Sequence, residues 1–230
     1  MLNGKLARVL IRKAGIQYRS RPLIISVDAY TNPVYGVYMK ELTAQRIAAK
    51  AGLLLDREGA ESVTMRRVAK AVGVTAMALY RHFEGRAALL NALADAGFQD
   101  LAIRVTAASK PRDPEKRLVR ILDVFLNFAL ERPRLFELMF LTRRAGARTY
   151  PRDFKARESP TANLIAEAIE DGIKSGSFRK LDAWEITFEM GALLQGLVML
   201  YLGGRMEMDT EEFRAFCRRS FRRYFHGIRS

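Results

Sequence analysis

Seven residues between positions 64 and 86 carry the groups in this chain whose types and spacing suit chemistry: Thr64, Thr75, Ala76, Met77, Tyr80, His82 and Arg86. No nucleophile stands beside a base and no carboxylate pair accompanies them, so the chemistry on offer is recognition rather than turnover. Hydroxyl, imidazole and guanidinium donors match the oxygens of a phosphate backbone. Short apolar side chains let a helix approach base edges and meet thymine methyls. Thr75, Ala76, Met77 and Tyr80 are therefore expected to read bases, and Thr64, Tyr80, His82 and Arg86 to anchor phosphates.

Two short helices joined by a tight turn must position them. Thr64 can cap a first helix with Met65, Val68, Ala69 and Val72 on one face of a 3.6-residue repeat. Gly73 permits a left-handed turn, Val74 is expected to point inward, and Thr75 can cap a second helix running through Tyr80. The second helix is small at its start and aromatic at its end, the taper a major-groove reader needs. A helical hairpin within an ordinary core has the same pattern.

The surrounding residues sharpen this reading. From Thr43 to Leu93 the chain resembles the DNA-binding domain of the TetR/AcrR family of transcriptional repressors, with Thr64, Val68-Ala69, Gly73-Val74, Leu79-Tyr80, His82-Phe83 and Leu89-Leu90 at that family's spacing. Arg86 departs from it, standing where the family usually has lysine; charge is kept and geometry changed. The resemblance implies an all-α protein: an N-terminal three-helix helix-turn-helix DNA-binding domain followed by a helical ligand-sensing and dimerisation domain.

Composition agrees. A net charge of +14 among 230 residues implies an anionic partner, nucleic acid or a membrane surface. The single cysteine, Cys217, excludes an intramolecular disulfide and reads as a buried structural thiol. With only His82 and His226, no metal site is expected, and nothing points to a cofactor or to catalysis. Residues 1–38 form a basic extension, six lysines and arginines against Asp28 alone, read as a DNA-binding arm, a disordered tail, or a stretch upstream of a true start at Met39. The expected domains are this extension, 39–93 for DNA binding, and 94–230 for sensing and dimerisation.

Along the chain, a first helix is expected from Thr43 to about Glu58, with Lys40, Thr43 and Thr64 at element starts facing phosphate. A long helix from Arg86 to about Ala108 should belong to both domains and act as a lever, ending at the prolines of 111–114. Further helices follow at about 115–131, 135–141, 161–174, 182–202 and 210–225. Phe98, Leu101, Phe125, Phe128, Met139 and Phe140 are the candidate ligand pocket. The polar, arginine-rich segment 142–160 reads as a solvated loop, with a pocket cover as the alternative. Some family members carry His-Gly where Gln195-Gly196 aligns, so no ligand contact of that histidine carries over.

The helix of 182–202 is apolar on nearly all sides, yet its unbroken apolar run is short for a bilayer, which favours burial against a second copy. Leu194, Leu197, Tyr201, Phe213 and Phe216 are the candidate dimer interface, as half of a four-helix bundle. The reading is thus a cytoplasmic homodimeric regulator that binds double-stranded, palindromic operator DNA and is released by a small apolar effector. A basic helical membrane-surface or structural protein is the alternative, set aside because the apolar residues are needed for cores.

Overall fold

In the computed structural model residues 33–230 are described, with side chains from Thr43 onward; the expectations for the earlier part of the extension lie outside them. Helix α1 spans Pro33–Glu58, so it starts before the expected Thr43, and Lys40 and Thr43 lie within a helix rather than at its start. Ile47, Ala51 and Leu55 are its buried stripe. Gly59 turns the chain at a φ of 85°, and the Ser62 hydroxyl donates to the carbonyls of Leu54 and Gly59 at 3.1 and 2.7 Å, which closes the turn.

Helix α2, Met65–Val72, and helix α3, Ala76–Tyr80, follow as the spacing predicts. The Thr64 hydroxyl accepts from Arg67 N–H and the Thr75 hydroxyl from Ala78 N–H, each satisfying an otherwise orphaned helix donor. Gly73 sits between them at a φ of 80°, a conformation that disfavours side chains with a Cβ. Val74 does not turn inward as expected; it is 36% exposed at the corner, while Leu79 is fully buried.

Helix α4, Arg86–Ala108, is the spine. Its first half buries Leu89, Leu90 and Leu93 and its second half Gly97, Leu101 and Val105. Helices α5 (Pro114–Glu131), α6 (Pro133–Phe140) and α8 (Pro160–Lys174) pack directly on it. At Gly97 a Cβ would lie 2.5 Å from the Met139 sulfur, so the missing side chain is what lets α6 approach. Between α6 and α8 lies the short helix α7, Arg152–Lys155.

Helix α9, Ala183–Leu202, and helix α10, Thr210–Ile228, complete the described residues. Asp182 caps α9 through Trp184 and Glu185 N–H, and Asp209 with Glu212 forms a reciprocal capping box on α10. By length and mean hydropathy α9 is long and apolar enough to cross a membrane, although Glu185, Glu189 and Gln195 interrupt its apolar run. Its inner face, Ile186, Thr187, Met190, Leu194 and Val198, is nevertheless buried in the protein's own core, against α5, α8 and α10. Phe213, Cys217, Phe221 and Phe225 form the inner stripe of α10. Each such phenylalanine contributes about 1.5–3 kcal/mol by leaving water.

Candidate nucleic-acid interface and effector cavity

The helix-turn-helix presents its reading residues as the taper requires. Thr75, Ala76 and Met77 are exposed at the start of α3, Met77 at 74% and Tyr80 at 49%. These are large apolar surfaces that a folded chain normally hides. Thr64 and His82 are partly exposed beside them.

Arg86 is different. Its Nε donates to the Val63 carbonyl at 3.0 Å and its Nη2 to the Ala60 carbonyl at 2.9 Å and the Glu61 carboxylate at 3.1 Å. Most of its fork is committed to the turn that precedes α2, so it ties the start of α4 to the helix-turn-helix.

A second site lies in the other half: a half-open cavity of about 730 Å³ lined by α4, α5, α6, α8, α9, Phe221 of α10 and the segment 142–159. Its volume lies within the range that suits small organic ligands. Of the expected pocket residues, Phe98, Phe125, Met139 and Phe140 line it. Leu101 and Phe128 do not; both are fully buried, and Phe128 instead carries the Arg104 guanidinium 5.6 Å from its ring centroid. Phe140 is the hub of the aromatic wall, 5.2 Å from Phe98, 6.2 Å from Phe125 and 4.6 Å from Phe136 between ring centroids.

Segment 142–160, read as a solvated loop, supplies much of the cavity wall, including Arg144, Arg148 and Tyr150. Tyr150 stacks on Phe188 of α9 at 4.4 Å, with Phe154 edge-on to Phe188 at 5.6 Å, and this aromatic clamp holds the segment down. Its polarity misled because the contacts depend on two aromatics spread among arginines. Gln195 lines the cavity, so the position aligned with the family's histidine does face the candidate ligand space. Leu194 lines it too and is buried, as is Phe213, on which Tyr201 stacks at 4.1 Å. Leu194 and Phe213 therefore do not form an outer surface. The apolar residues that α9 leaves exposed are Phe188, Met199, Leu200 and Leu202.

An exposed helix-turn-helix and a separate cavity thus share one helix, α4. Comparison with known proteins places the chain: residues 47–93 match the tetR family of bacterial regulatory proteins and residues 118–224 a tetracyclin repressor-like C-terminal domain, and the chain belongs to the TetR family. Nucleoid occlusion factor SlmA of Glaesserella parasuis is 34% identical over 95 residues, 41% of this chain and 47% of that protein. The chain thus spans about half the length of the curated relatives it matches. A TetR family transcription regulator from Marinobacter aquaeolei VT8 superposes with a TM-score of 0.63 at 20% identity, covering 84% of this chain and 99% of the other. A protein of unknown function from Rhodococcus sp. RHA1 superposes at 0.68 with 23% identity, covering 82% and 96%. At such identities the likeness is one of fold.

Proposed function

We propose that this protein is a sequence-specific DNA-binding transcriptional regulator of the bacterial cytoplasm, a homodimeric repressor released from a near-palindromic operator by a small effector. The observation that carries the reading is that one helix serves both sites. The start of α4 holds the helix-turn-helix through Arg86, while Asp95 and Phe98 of the same helix line the cavity. An effector that shifts the middle of α4 changes the setting of α3, and two such changes across a dimer alter half-site spacing.

Thr75, Ala76, Met77 and Tyr80 are assigned to base contacts, with Thr64 and His82 on phosphates. Arg86 acts mainly as a positioning residue. The dimer contact is assigned to the outward face of α9 around Met199, Leu200 and Leu202, with Leu197, Tyr201 and Phe216 at its margin. The exposure of the first three supports that face.

The test is selection of bound duplexes from a random pool, followed by titration of the selected duplex in the presence of candidate effectors. Recovery of an inverted repeat with half-sites about one helical turn apart is expected. A folded protein with no duplex preference at any salt concentration overturns the reading.

A further inference from the structure

The cavity is neither uniformly apolar nor electrically neutral. Its charged lining residues are Arg143, Arg144 and Arg148 against Asp95 alone, and among the described residues none of the three arginines has a carboxylate within ion-pairing distance. Other partly buried arginines of this chain do have carboxylate partners, as Arg117 with Asp171 at 2.7 Å and Arg104 with Glu131 at 2.8 Å; Arg144 is partly buried, while Arg143 and Arg148 stand exposed at the cavity mouth. The cavity arginines are fixed by other means. Arg144 donates to the Leu138 carbonyl at 3.1 Å and to Asn91 Oδ1 at 3.2 Å, and Arg148 donates through Nε to the Glu158 carbonyl at 2.7 Å.

Partial burial raises the cost of leaving Arg144 without a counter-charge. Burial lowers the Arg144 pKa, Asp95 opposes that shift, and the neighbouring Arg148 charge adds to it. Arg148 lies with its guanidinium carbon 5.5 Å from the Phe98 ring centroid, directly beside the aromatic wall that Phe140 organises. Two like charges in a partly desolvated site are stabilised by an anion placed between or before them. On the other wall Ser159 and Thr161 are more than nine-tenths buried and have no side-chain hydrogen bond among the described residues.

We propose that the effector is an amphipathic organic anion: a hydrophobic carboxylate whose head group is held by Arg148, with the charge of Arg144 behind it, and whose apolar body lies along Phe98, Phe125 and Phe140. The proposal rests on the effector-cavity reading above and narrows its ligand from apolar to anionic. A neutral hydrocarbon would fill the aromatic end and leave both cations without a paired carboxylate. A cation would meet their repulsion.

The experiment compares three probes with one tail, decanoate, 1-decanol and decyltrimethylammonium, by calorimetry on the full chain below their aggregation concentrations, with operator release measured in parallel. Decanoate is expected to bind at least about tenfold more tightly than decanol, the factor that one charge-assisted contact supplies. The preference should shrink with added salt, a readout that needs no variant. Arg148→Gln should erase the preference, lowering decanoate affinity by at least about tenfold more than decanol affinity, since only the anion loses a charged partner.

Equal binding of decanoate and decanol overturns the anionic assignment, as does a preference that survives Arg148→Gln, or no binding of any probe. If decanol binds as well as decanoate and both release the operator, the regulator reading stands and this proposal falls. If decanoate is preferred as predicted and the operator is never released, the anion site stands and the coupling to DNA falls.

Discussion

Arg132 Nη2 lies 2.9 Å from Asp56 Oδ2, joining the bend between α5 and α6 to the last turns of α1 across 76 residues of sequence. The pair is a strut from the C-terminal half to the helix-turn-helix half, independent of α4. Both side chains are about one-third exposed, so the contact contributes little to stability, about 0–1 kcal/mol. Its leverage is on coupling. Asp56→Asn should leave the melting temperature nearly unchanged yet alter the factor by which effector weakens operator binding, measured by titrating DNA with and without ligand. An unchanged factor assigns all the coupling to α4.

Arg86→Ala should act on stability before it acts on phosphate contacts. Two carbonyls and a carboxylate lose their donor, which costs about 1–3 kcal/mol. Operator affinity should fall through loosening of the turn before α2, with the dependence of log K on log salt little altered. A slope reduced by close to one unit would instead mark Arg86 as a phosphate ligand. Met77→Ala and Tyr80→Ala, at exposed positions, should weaken specific binding while the melting temperature holds.

The outer and inner faces of α9 should respond oppositely to charge. Met199→Arg or Leu200→Arg should yield folded monomers with weakened operator binding, because a solvated arginine costs the isolated subunit little but cannot be buried in an interface. Leu194→Arg should unfold the sensing half, since that side chain is 6% exposed. Sedimentation and far-ultraviolet dichroism separate the two outcomes. Monomers that still bind DNA at full affinity would move the dimer contact away from α9.

Cys217 should resist thiol reagents in the native protein. Burial raises its thiol pKa to about 11, leaving very little thiolate at neutral pH. The rate of labelling by a maleimide should therefore follow global unfolding in denaturant. Rapid labelling under native conditions would show that α10 opens locally.

The cavity wall has its own pH limit. Arg152 and the Thr149 N–H hold the Asp153 carboxyl at about 2, below its ordinary 3.8. A depressed carboxylate pKa contributes stability that is present above the ordinary value and lost as pH falls through the range down to about 2. Segment 142–160 should gain amide exchange over that interval, and Asp153→Asn should reproduce the gain at neutral pH. Exchange unaffected by either change would show that other contacts, the Tyr150–Phe188 stack and the Lys155–Asp182 ion pair among them, hold the segment.

What the sequence determined by itself is local. The two threonine caps, the glycine turn, the boundaries of α2, α3 and α4 and the proline breaks all follow from backbone preferences and periodicity within a few residues, which is why Thr64, Gly73 and Thr75 stand where the spacing puts them. Tertiary structure decided which apolar residues face a void, a core or solvent. Phe125 and Phe128 are three positions apart on one helix, yet one lines the cavity and the other is core, and Leu194 turns inward while Met199 does not. It also decided the role of Arg86, whose partners lie 23 to 26 residues earlier, and it brought Arg144 and Arg148 to an aromatic wall drawn from three helices. Hydrophobic periodicity marks one face of a helix for burial, but it carries no information about which neighbour covers that face or where close packing leaves a gap.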